Sequence, residues 1–368
     1  MGLFSVRAGK DRVVLLPIKG PVKAASTAVI GSGLTTLDAV VIAHVDDLRE
    51  DEDPREVAKE AALSEGLDPR RAAVFLTAAD LGKSIAWSEG GRVFAAVSVG
   101  LHPLSCVGGG PGGRGTIIMV VGVDECMDDG ALLEILHVAG AVKAAALQSL
   151  GAGCGKGACI GTVTDAVLAA SLPCGGGRYA GPATRVGAEV VRLLFTLITE
   201  KVAELADTST RLGWLVGMGV SEFVDAAVSV YRRAPVPGVG ETLVRGLIKE
   251  ELGTALRDPN VWALLMASKF LDDAGVAGGI PGLGRGDYLA DSKAVLADEV
   301  IGLGLALYVN GLRGLFSYYW VDRLKEEVAG LADLPMFSDD AAAALIGSVL
   351  SRVYDRVLRD ARGDHGRG

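Results

Sequence analysis

The chain has 368 residues, half of them hydrophobic, with a formal net charge of −9 and a pI near 5.1. This length favours two domains, and the acidic balance with scattered lysines and arginines excludes the basic surface of a nucleic-acid-binding protein. The odd number of cysteines and an N-terminus without the pattern of a secretory leader predict reduced thiols in a cytoplasmic protein.

Strands and helices alternate over the first 175 residues. Apolar or β-prone runs predict strands at 13–16, 40–45, 72–77, 92–99 and 116–123. Helices are predicted at 53–65, 131–150 and 166–171. Pro54 stands in the first turn of the first helix, where its fixed backbone angle is favourable. Such alternation predicts two or more α/β layers, in a domain that covers residues 1–205.

Helical periodicity dominates from about residue 186 onward. Helices are predicted at 184–206, 209–232, 241–256, 259–273, 291–320 and 338–360. The sequence therefore predicts an all-α, multihelical domain over residues 206–360 and a flexible tail over 361–368. Residues 300–320 are long enough to span a bilayer, but Asn310, Arg313 and several glycines interrupt them. We therefore expect a central helix of a soluble bundle, without stable membrane insertion.

Acidic residues stand at both ends of an apolar, glycine-spaced stretch, residues 296–340. They are Asp298, Glu299, Asp322, Asp339 and Asp340. Carboxylates are costly to bury alone, and magnesium prefers oxygen ligands. If the apolar stretch is a buried helix, these acids could converge near its ends and hold a divalent cation. The alternative is that they cap helices and face solvent in turns.

Five short motifs in the second half carry a family resemblance. They are E-E-L at 250–252, L-D at 271–272, A-D-E at 297–299, D-R-x-K at 322–325 and F-x-D-D at 337–340. Their order resembles the phosphatidylglycerophosphatase A-like superfamily, and most of all its archaeal α-ribazole-5′-phosphate phosphatase branch, over roughly residues 210–360. The family often has Lys-Pro-Gly where this chain reads Lys325-Glu326-Glu327.

This resemblance implies a magnesium-dependent phosphomonoesterase. The expected metal ligands are Glu251, Asp272, Asp298, Glu299, Asp339 and Asp340. We expect Asp322 and Lys325 to act in catalysis, and Lys325 or Arg323 to neutralise the phosphate. Alternatively, Arg323 simply pairs with Asp322.

A second set of motifs lies in the first half. Ser26-Thr27-Ala28, Thr77-Ala-Ala-Asp80, Gly115-Thr116-Ile117, Lys143 and Gly161-Thr-Val-Thr-Asp165 occur in an order that resembles the adenosylcobinamide amidohydrolase family, over roughly residues 8–190. The resemblance implies hydrolysis of the amide that joins the corrin ring to aminopropanol, with adenosylcobyric acid as product. The corrinoid is then a substrate and not a bound cofactor.

Amide hydrolysis requires a nucleophile or activated water, a proton shuttle and donors for the oxyanion. We expect Asp165 to orient a group or accept a proton, unless it is the N-cap of a helix that begins at Ala166. Thr162 and Thr164 are expected donors or positioning groups, and Lys143 an oxyanion or amide ligand.

The nucleophile is expected to be Ser26 or Thr27, although no histidine is obviously placed to activate either. We expect His102 and Gly161 to contact the substrate, while a purely structural histidine is the favoured alternative for His44 and His102. The chain departs from the family at Ala141, where a glutamate is usual, and at Ile118, where an asparagine is usual.

The sequence thus predicts a bifunctional cobamide-salvage enzyme that acts on small molecules and could form a homo-oligomer. Two alternatives stay open: a phosphatidylglycerophosphate phosphatase in the second half, and a corrinoid-binding scaffold whose amidohydrolase site has decayed.

Overall fold

The chain divides into two units in the computed structural model. The first comprises Met1–Leu150 and Cys159–Ala206, and the second Gly151–Ala158 and Asp207–Gly368. The structure describes residues 3–46, 52–109, 115–154, 157–291 and 295–364, without the side chains of 360–364.

Strands predominate in the first unit. In chain order its described elements are β1 (Phe4–Ala8), β2 (Arg12–Pro17), β3 (Val22–Ser26), β4 (Gly33–Leu37), β5 (Ala39–His44), α1 (Pro54–Ser64), β6 (Ala72–Thr77), α2 (Leu81–Ser84), β7 (Ile85–Gly90), β8 (Val93–Val99), β9 (Leu104–Cys106), β10 (Ile117–Met127), α3 (Asp129–Ser149), β11 (Cys159–Thr162), β12 (Ala166–Gly177) and α4 (Arg185–Leu205). They form one sheet in the order β1-β2-β5-β6, a second in the order β4-β3-β12-β10-β8-β7, and a two-stranded ribbon of β11 and β9.

The two larger sheets pack face to face, and the alternation of side chains along each strand explains the layers. In β2, Val13 and Leu15 enter a core shared with Phe94 and Val120 of the second sheet. Val14 points to the opposite face, where α1 packs. Helices α3 and α4 cover the other face of the second sheet. Successive residues of a strand face opposite ways, so both sheets are buried on both faces in four layers. The predicted α/β layers are confirmed.

Each sheet contains one parallel pair joined by a helix. Strands β5 and β6 are joined through α1, and β10 and β12 through α3. Helix α1 begins where the sequence predicts, because the Asp53 carboxylate accepts from the Arg55 N–H and Pro54 follows at once.

Two predictions for this unit are wrong. Residues 166–171 lie in strand β12, not in a helix, because their small and apolar side chains fill the core beside β10 and β3. Cys126 and Cys174 form a disulfide between β10 and β12, with Cα atoms 5.1 Å apart, so this pair is not reduced.

The second unit is helical, as predicted. Its described helices are α5 (Thr208–Val216), α6 (Val220–Tyr231), α7 (Glu241–Ala255), α8 (Pro259–Ala277), α9 (Arg285–Leu289), α10 (Ala297–Asp322) and α11 (Met336–Asp364). The predicted helix 209–232 is two helices, bent by 62° after Gly217, whose φ is +65°. Helix α11 is the centre of the unit, because residues 341–346 are all completely buried and α5, α6, α7, α8 and α10 contact it.

Helix α10 reverses direction halfway. Asn310 and Gly311 are non-helical, and Gly311 has φ +56° and ψ −146°. In a straight helix Gly302 and Tyr318 would be about 24 Å apart. Instead, a β-carbon at Gly302 would lie 2.6 Å from the Tyr318 hydroxyl, and one at Gly314 would collide with the Ala306 carbonyl. Arms 297–309 and 312–322 therefore form an antiparallel helical hairpin.

Two described helices, α3 and α10, are long and apolar enough to cross a membrane, judged by length and composition only. The hairpin shortens the second, since its arms of 13 and 11 residues span about 20 and 17 Å. The expectation of a cytoplasmic protein without membrane insertion therefore stays a prediction.

Candidate functional site

A cavity of about 380 Å³ in the first unit collects several of the predicted residues. It lies where β3, β5 and β6 end and where β10 and β12 begin. Its lining is Thr27, Val29, Val45, Asp46, Pro54, Phe75, Leu76, Thr77, Ala78, Thr116, Thr164, Asp165 and Ala166. The fold thus brings Thr27, Thr164 and Asp165 to one place, although 138 residues separate the first from the last.

Asp165 is held by four donors. One carboxylate oxygen accepts from the Ile117 N–H at 2.7 Å and from the Thr162 hydroxyl. The other accepts from the Thr162 N–H at 2.8 Å and from the Lys143 ammonium. The side chains of Lys143 and Asp165 are only 13% and 11% exposed. A buried carboxylate with this many donors is well satisfied, so it joins α3, β10 and β11 at the cavity wall.

The Gly-Thr-x-Thr-Asp motif has a geometric explanation. A β-carbon at Gly161 would lie 2.0 Å from an Asp165 oxygen and 2.5 Å from the Lys143 nitrogen, so only glycine lets this ion pair close. Asp165 caps no helix, because Ala166 begins β12. The N-cap alternative is therefore wrong, and the bonded carboxylate favours an orienting role over proton transfer.

Most of the predicted threonines donate their hydroxyl proton to a neighbouring oxygen. The Thr164 hydroxyl donates to the Gly115 carbonyl at 2.9 Å, and Thr116 and Thr164 share a 2.5 Å hydrogen bond. Because Thr164 has a single proton, Thr116 is the donor of that bond. Thr162 donates to Asp165. Thr162 and Thr164 therefore position the wall, rather than donate to an oxyanion.

Thr27 differs from these threonines. Its hydroxyl accepts from the Val167 N–H at 2.9 Å and lies 3.4 Å from the Val167 carbonyl, which is a long hydrogen bond. Its proton is thus only weakly held, and its side chain lines the cavity. Ser26 is buried, accepts from the Ala28 N–H and does not line the cavity. Of the two predicted nucleophiles, the geometry favours Thr27.

His44 and Asp46 form a pair that the sequence analysis did not place at the site. His44 Nδ1 is 3.0 Å from the Ala79 carbonyl, which can only accept, so Nδ1 carries the proton. The Asp46 carboxylate lies 3.2 Å from Nε2, and it accepts a hydrogen bond from the ring only when Nε2 carries a proton as well. Asp46 lines the first cavity and also a second, polar one of about 650 Å³ that His44 lines. The position of both residues at the end of β5 was the available signal.

Three other residues lie outside the first cavity. His102 is exposed and does not line it. Ile118 is completely buried in the core between the sheets, and Ala141 is exposed on α3. Neither departure from the family pattern therefore removes a side chain from the described cavity wall.

In the second unit, the hairpin brings distant acids together. Asp298 stands at the start of the first arm and Asp322 at the end of the second, and Asp340 lies in the first turns of α11. One oxygen from each of Asp298, Glu299 and Asp340 lies within 4.8 Å of the others. In a straight helix, Asp298 and Asp322 would be about 36 Å apart. The fold-back thus brings Asp322 to the same end of the hairpin as Asp298. Asp298, Glu299, Asp339 and Asp340 are called the acid cluster below.

The cluster contains buried oxygens without a hydrogen-bond partner among the described residues. They are Asp298 Oδ1, Glu299 Oε2, Asp339 Oδ1 and Asp340 Oδ1. Burial, together with a side-chain hydrogen bond with Glu299, raises the pKa of Asp298 to about 8. Burial also raises the pKa of Asp339 and of Asp340 to about 7. Unsatisfied buried carboxylates are costly, and the hard oxygens of this group fit a magnesium ion.

Lys325 is the cation beside the cluster. Its ammonium lies 2.9 Å from Asp339, 3.7 Å from Asp340 and 3.4 Å from Asp322. Burial lowers its pKa, but the neighbouring carboxylates outweigh this and raise it. Tyr318, which the sequence analysis missed, is buried, and its pKa is raised by this burial and by the nearby charges of Asp340 and Asp322. Gly302 is the signal that accompanies it, because only a glycine leaves room for the tyrosine ring.

Three residues predicted for this site have other roles. Glu251 pairs with Arg356 at 2.9 Å, about 24 Å along α11 from Asp340. Asp272 accepts from the Tyr288 hydroxyl, from the N–H groups of Phe337 and Ser338 and from the Ser338 hydroxyl, so it caps the start of α11. Arg323 is exposed and stacks on Tyr319, 5.8 Å from the ring centre, rather than pairing with Asp322. Neither Glu251 nor Asp272 belongs to the acid cluster.

The first unit is thus a layered α/β structure with a mainly apolar cavity at the ends of its strands, edged by a few hydroxyl and carboxylate groups, which is a usual setting for an enzyme that acts on small molecules. Residues 4–204 match the family model for adenosylcobinamide amidohydrolase. The chain belongs to this family, which confirms the resemblance of the first half and its class, a hydrolase.

Other similarities cover smaller parts of the chain. An uncharacterized protein of Methanocaldococcus jannaschii is 36% identical over 114 residues, which are 30% of this chain and 87% of that protein. One similar solved structure is the low temperature requirement C protein of Listeria monocytogenes, with TM-score 0.35 and 17% identity, and the match covers 41% of this chain and 94% of that one. Another is a protein of unknown function from Bacillus stearothermophilus, with TM-score 0.34, 18% identity and the same coverage. At these TM-scores the structures carry no argument, and the phosphatidylglycerophosphatase A-like resemblance stays a prediction.

Proposed function

We propose that the first unit hydrolyses the amide between the corrin ring and the aminopropanol arm of adenosylcobinamide. The family match over residues 4–204 carries this proposal, and the cavity beside Thr27 and Asp46 supports it. Ligand pockets range from about 300 to 1,000 Å³, so 380 Å³ suits one amide arm, with the macrocycle outside.

The side chains at the cavity would have separate roles in the reaction. Attack on the amide carbon by the Thr27 oxygen, or by a water held there, gives a tetrahedral intermediate. Asp46 accepts the proton of the attacking group, because its carboxylate is exposed and lines the cavity. The C–N bond then breaks, and aminopropanol leaves with that proton. If Thr27 is the attacking group, a water molecule then hydrolyses the ester formed on Thr27, which releases adenosylcobyric acid and restores the hydroxyl. The Asp165–Lys143 pair positions the wall through its four hydrogen bonds.

Replacement of the Thr27 hydroxyl tests this proposal. In the full chain, Thr27→Val should lower the rate of aminopropanol release from adenosylcobinamide by about 100-fold or more, since it keeps the shape and removes the oxygen. Thr36→Val changes an exposed threonine of β4 and should have no effect. A wild-type chain that binds adenosylcobinamide without releasing aminopropanol would instead favour the scaffold alternative.

We also propose that the second unit is a magnesium-dependent phosphomonoesterase for α-ribazole-5′-phosphate, which would make the chain bifunctional. The observation that supports it is the set of four buried carboxylate oxygens, beside a lysine, that have no hydrogen-bond partner in the described part of the chain. Asp298, Glu299 and Asp340 would hold the ion, with Asp339 beside them. Bound magnesium would neutralise charge on the transferring phosphoryl group. Lys325 would contact the phosphate oxygens, and Asp322 would hold that lysine in place.

Phosphate release separates the candidate substrates. The full chain, with and without magnesium, is assayed on α-ribazole-5′-phosphate and on phosphatidylglycerophosphate. Release from the first alone supports the proposal, and release from the second alone supports the lipid alternative. Glu299→Gln should abolish release from either, whereas Glu250→Gln, on an exposed side chain of α7, should not. Magnesium-independent release would contradict both.

A further inference from the structure

The outward side of the α10 hairpin has no covering element among the described residues. Leu305, Val309 and Tyr318 point inward and join the core around α11. The other side carries large apolar side chains that are 38–72% exposed: Val300, Leu303, Leu307, Leu312, Phe316 and Trp320. These six residues are called the hairpin face.

The two arms present these side chains as one surface. Gly302 approaches Tyr318, and Gly314 approaches Ala306, so residues equally distant from Asn310 face each other across the hairpin. By this pairing Val300 lies opposite Trp320, and Phe316 lies opposite Gly304. The six side chains follow one another by three and four positions in the first arm and by four in the second, which places those of each arm on one side of its helix.

The size of the surface is that of a protein interface. With Tyr319, which is 61% exposed, seven side chains of about 200 Å² each leave roughly 800 Å² of apolar surface exposed. The largest apolar patch on a typical monomer is about 300–600 Å². A stable complex buries about 800 Å² on each partner. The only charged side chain among residues 300–320, Arg313, is tied to Asp355 at the hinge end.

Other features argue against a lipid surface as the occupant. Arms of about 20 and 17 Å are too short to span the roughly 30 Å hydrocarbon layer. Helices that lie on membranes carry lysines and arginines beside the apolar face. Here the open end of the hairpin has one exposed arginine, Arg323, together with three acids, Asp298, Glu299 and Asp322.

A groove continues the hairpin face. Phe316 and Trp320 line a cavity of about 440 Å³ together with Val230, Leu350 and Tyr354. It is open to an aromatic side chain from outside. A face with protruding aromatic residues beside an apolar groove can be self-complementary about a two-fold axis.

We propose that the hairpin face is the interface of a two-fold symmetric dimer, in which each copy places aromatic side chains against the groove of the other. This surface is independent of both proposed catalytic sites, since none of its six residues lines the first cavity or belongs to the acid cluster.

Sedimentation velocity of the full chain across micromolar concentrations tests the interface. Wild type should sediment as a dimer, and Phe316→Glu should raise the dissociation constant by about tenfold or more. Leu243→Glu is the matched control, because Leu243 is 57% exposed on α7 of the same unit and outside the face. It should remain dimeric. A monomeric wild type, or a Phe316→Glu dimer as tight as wild type, would overturn the proposal.

Folding and lipid binding are checked separately. The far-UV circular dichroism of Phe316→Glu should match that of wild type, and its thermal unfolding should match that of wild type diluted until both are monomeric. If that variant misfolds, Leu312→Asp replaces it, because Leu312 is 65% exposed and does not line the groove. Flotation with vesicles of three parts phosphatidylcholine to one part phosphatidylglycerol should leave the wild type unbound. If wild type bound the vesicles and Phe316→Glu did not, the hairpin face would be a membrane-binding surface and the dimer proposal would be rejected.

Discussion

Each unit buries carboxylates, but the two groups are satisfied in opposite ways. Both Asp165 oxygens receive two donors, one of them the ammonium of Lys143. In the acid cluster, four oxygens have no partner among the described residues, and Lys325 is shared by three acids. A satisfied carboxylate organises the protein around it, whereas the unsatisfied oxygens of the acid cluster would be satisfied by the magnesium ion proposed above. The difference predicts opposite responses to neutralisation and to magnesium.

The largest expected effect is at the satisfied carboxylate. Asp165→Asn should reduce the free energy of unfolding by about 3 kcal/mol and amide hydrolysis by about 100-fold, because it leaves Lys143 buried without its counter-charge. Magnesium should not alter either loss. Chemical denaturation and aminopropanol release measure the two effects. Asp38→Asn is the control: its pair with Arg71 is 48% and 41% exposed, so the change should be within about 1 kcal/mol. A stable, active Asp165→Asn protein would remove Asp165 from the site.

The acid cluster should respond in the opposite direction. Asp340→Asn should leave the metal-free protein as stable as wild type or more stable by about 1 kcal/mol, because one of several repelling carboxylates becomes neutral. The same variant should lose the stabilisation that magnesium gives to wild type. Thermal unfolding with a chelator and with magnesium measures both. Equal stabilisation of wild type and variant by magnesium would show that the ion binds elsewhere.

A change at the hinge of the hairpin should reduce the free energy of unfolding by a smaller amount. Gly311→Ala should cost about 2 kcal/mol, because φ +56° with ψ −146° is open essentially to glycine alone. No atom crowds its β-carbon position, so the cost is backbone strain. Gly304→Ala is the matched control, at an uncrowded helical position, and should stabilise by about 0.5–1 kcal/mol. Equilibrium unfolding by urea compares the two, and a smaller cost at Gly311 than at Gly304 would refute the hinge.

A separate prediction concerns the pH dependence of the stability of the metal-free protein. Burial raises the pKa of Asp298 to about 8 and that of Asp339 and Asp340 to about 7, from 3.8. The folded chain therefore holds more protons than the unfolded chain between about pH 4 and 8, and stability falls as the pH rises through this window. Magnesium should offset the fall, so its stabilising effect should grow from pH 5.5 to 8. Urea unfolding at several pH values, with Asp340→Asn for comparison, measures this trend.

Local signals were enough to predict much of the fold. The β-branched runs at 40–45 and 72–77 became β5 and β6, and Asp53 with Pro54 began α1 as expected. The helix predicted at 166–171 was wrong because a short run of alanine and leucine suits a buried strand as well as a helix. Packing between β3 and β10 makes this segment a strand.

The candidate sites were predicted in part. Gly161 and Asp165 lie within one short motif and contact each other, so the motif was enough to identify both. Glu251 was misplaced because an acidic residue on a helix gives no sign of which face it occupies. The reversal of α10 was also hidden, since Gly302, Gly304, Gly311 and Gly314 are alike in sequence and only Gly311 turns the chain.

The hairpin also makes the acid cluster sensitive to chain length. Asp298 and Asp322 each lie twelve positions from Asn310, whose side chain is fastened to Ser351. Deletion of one residue from either arm would rotate the acid beyond it by about 100° and shift it by 1.5 Å. Equal deletions in both arms would keep Asp298 and Asp322 opposite each other at the open end of the hairpin. Related chains should therefore tolerate length changes here only in matched pairs.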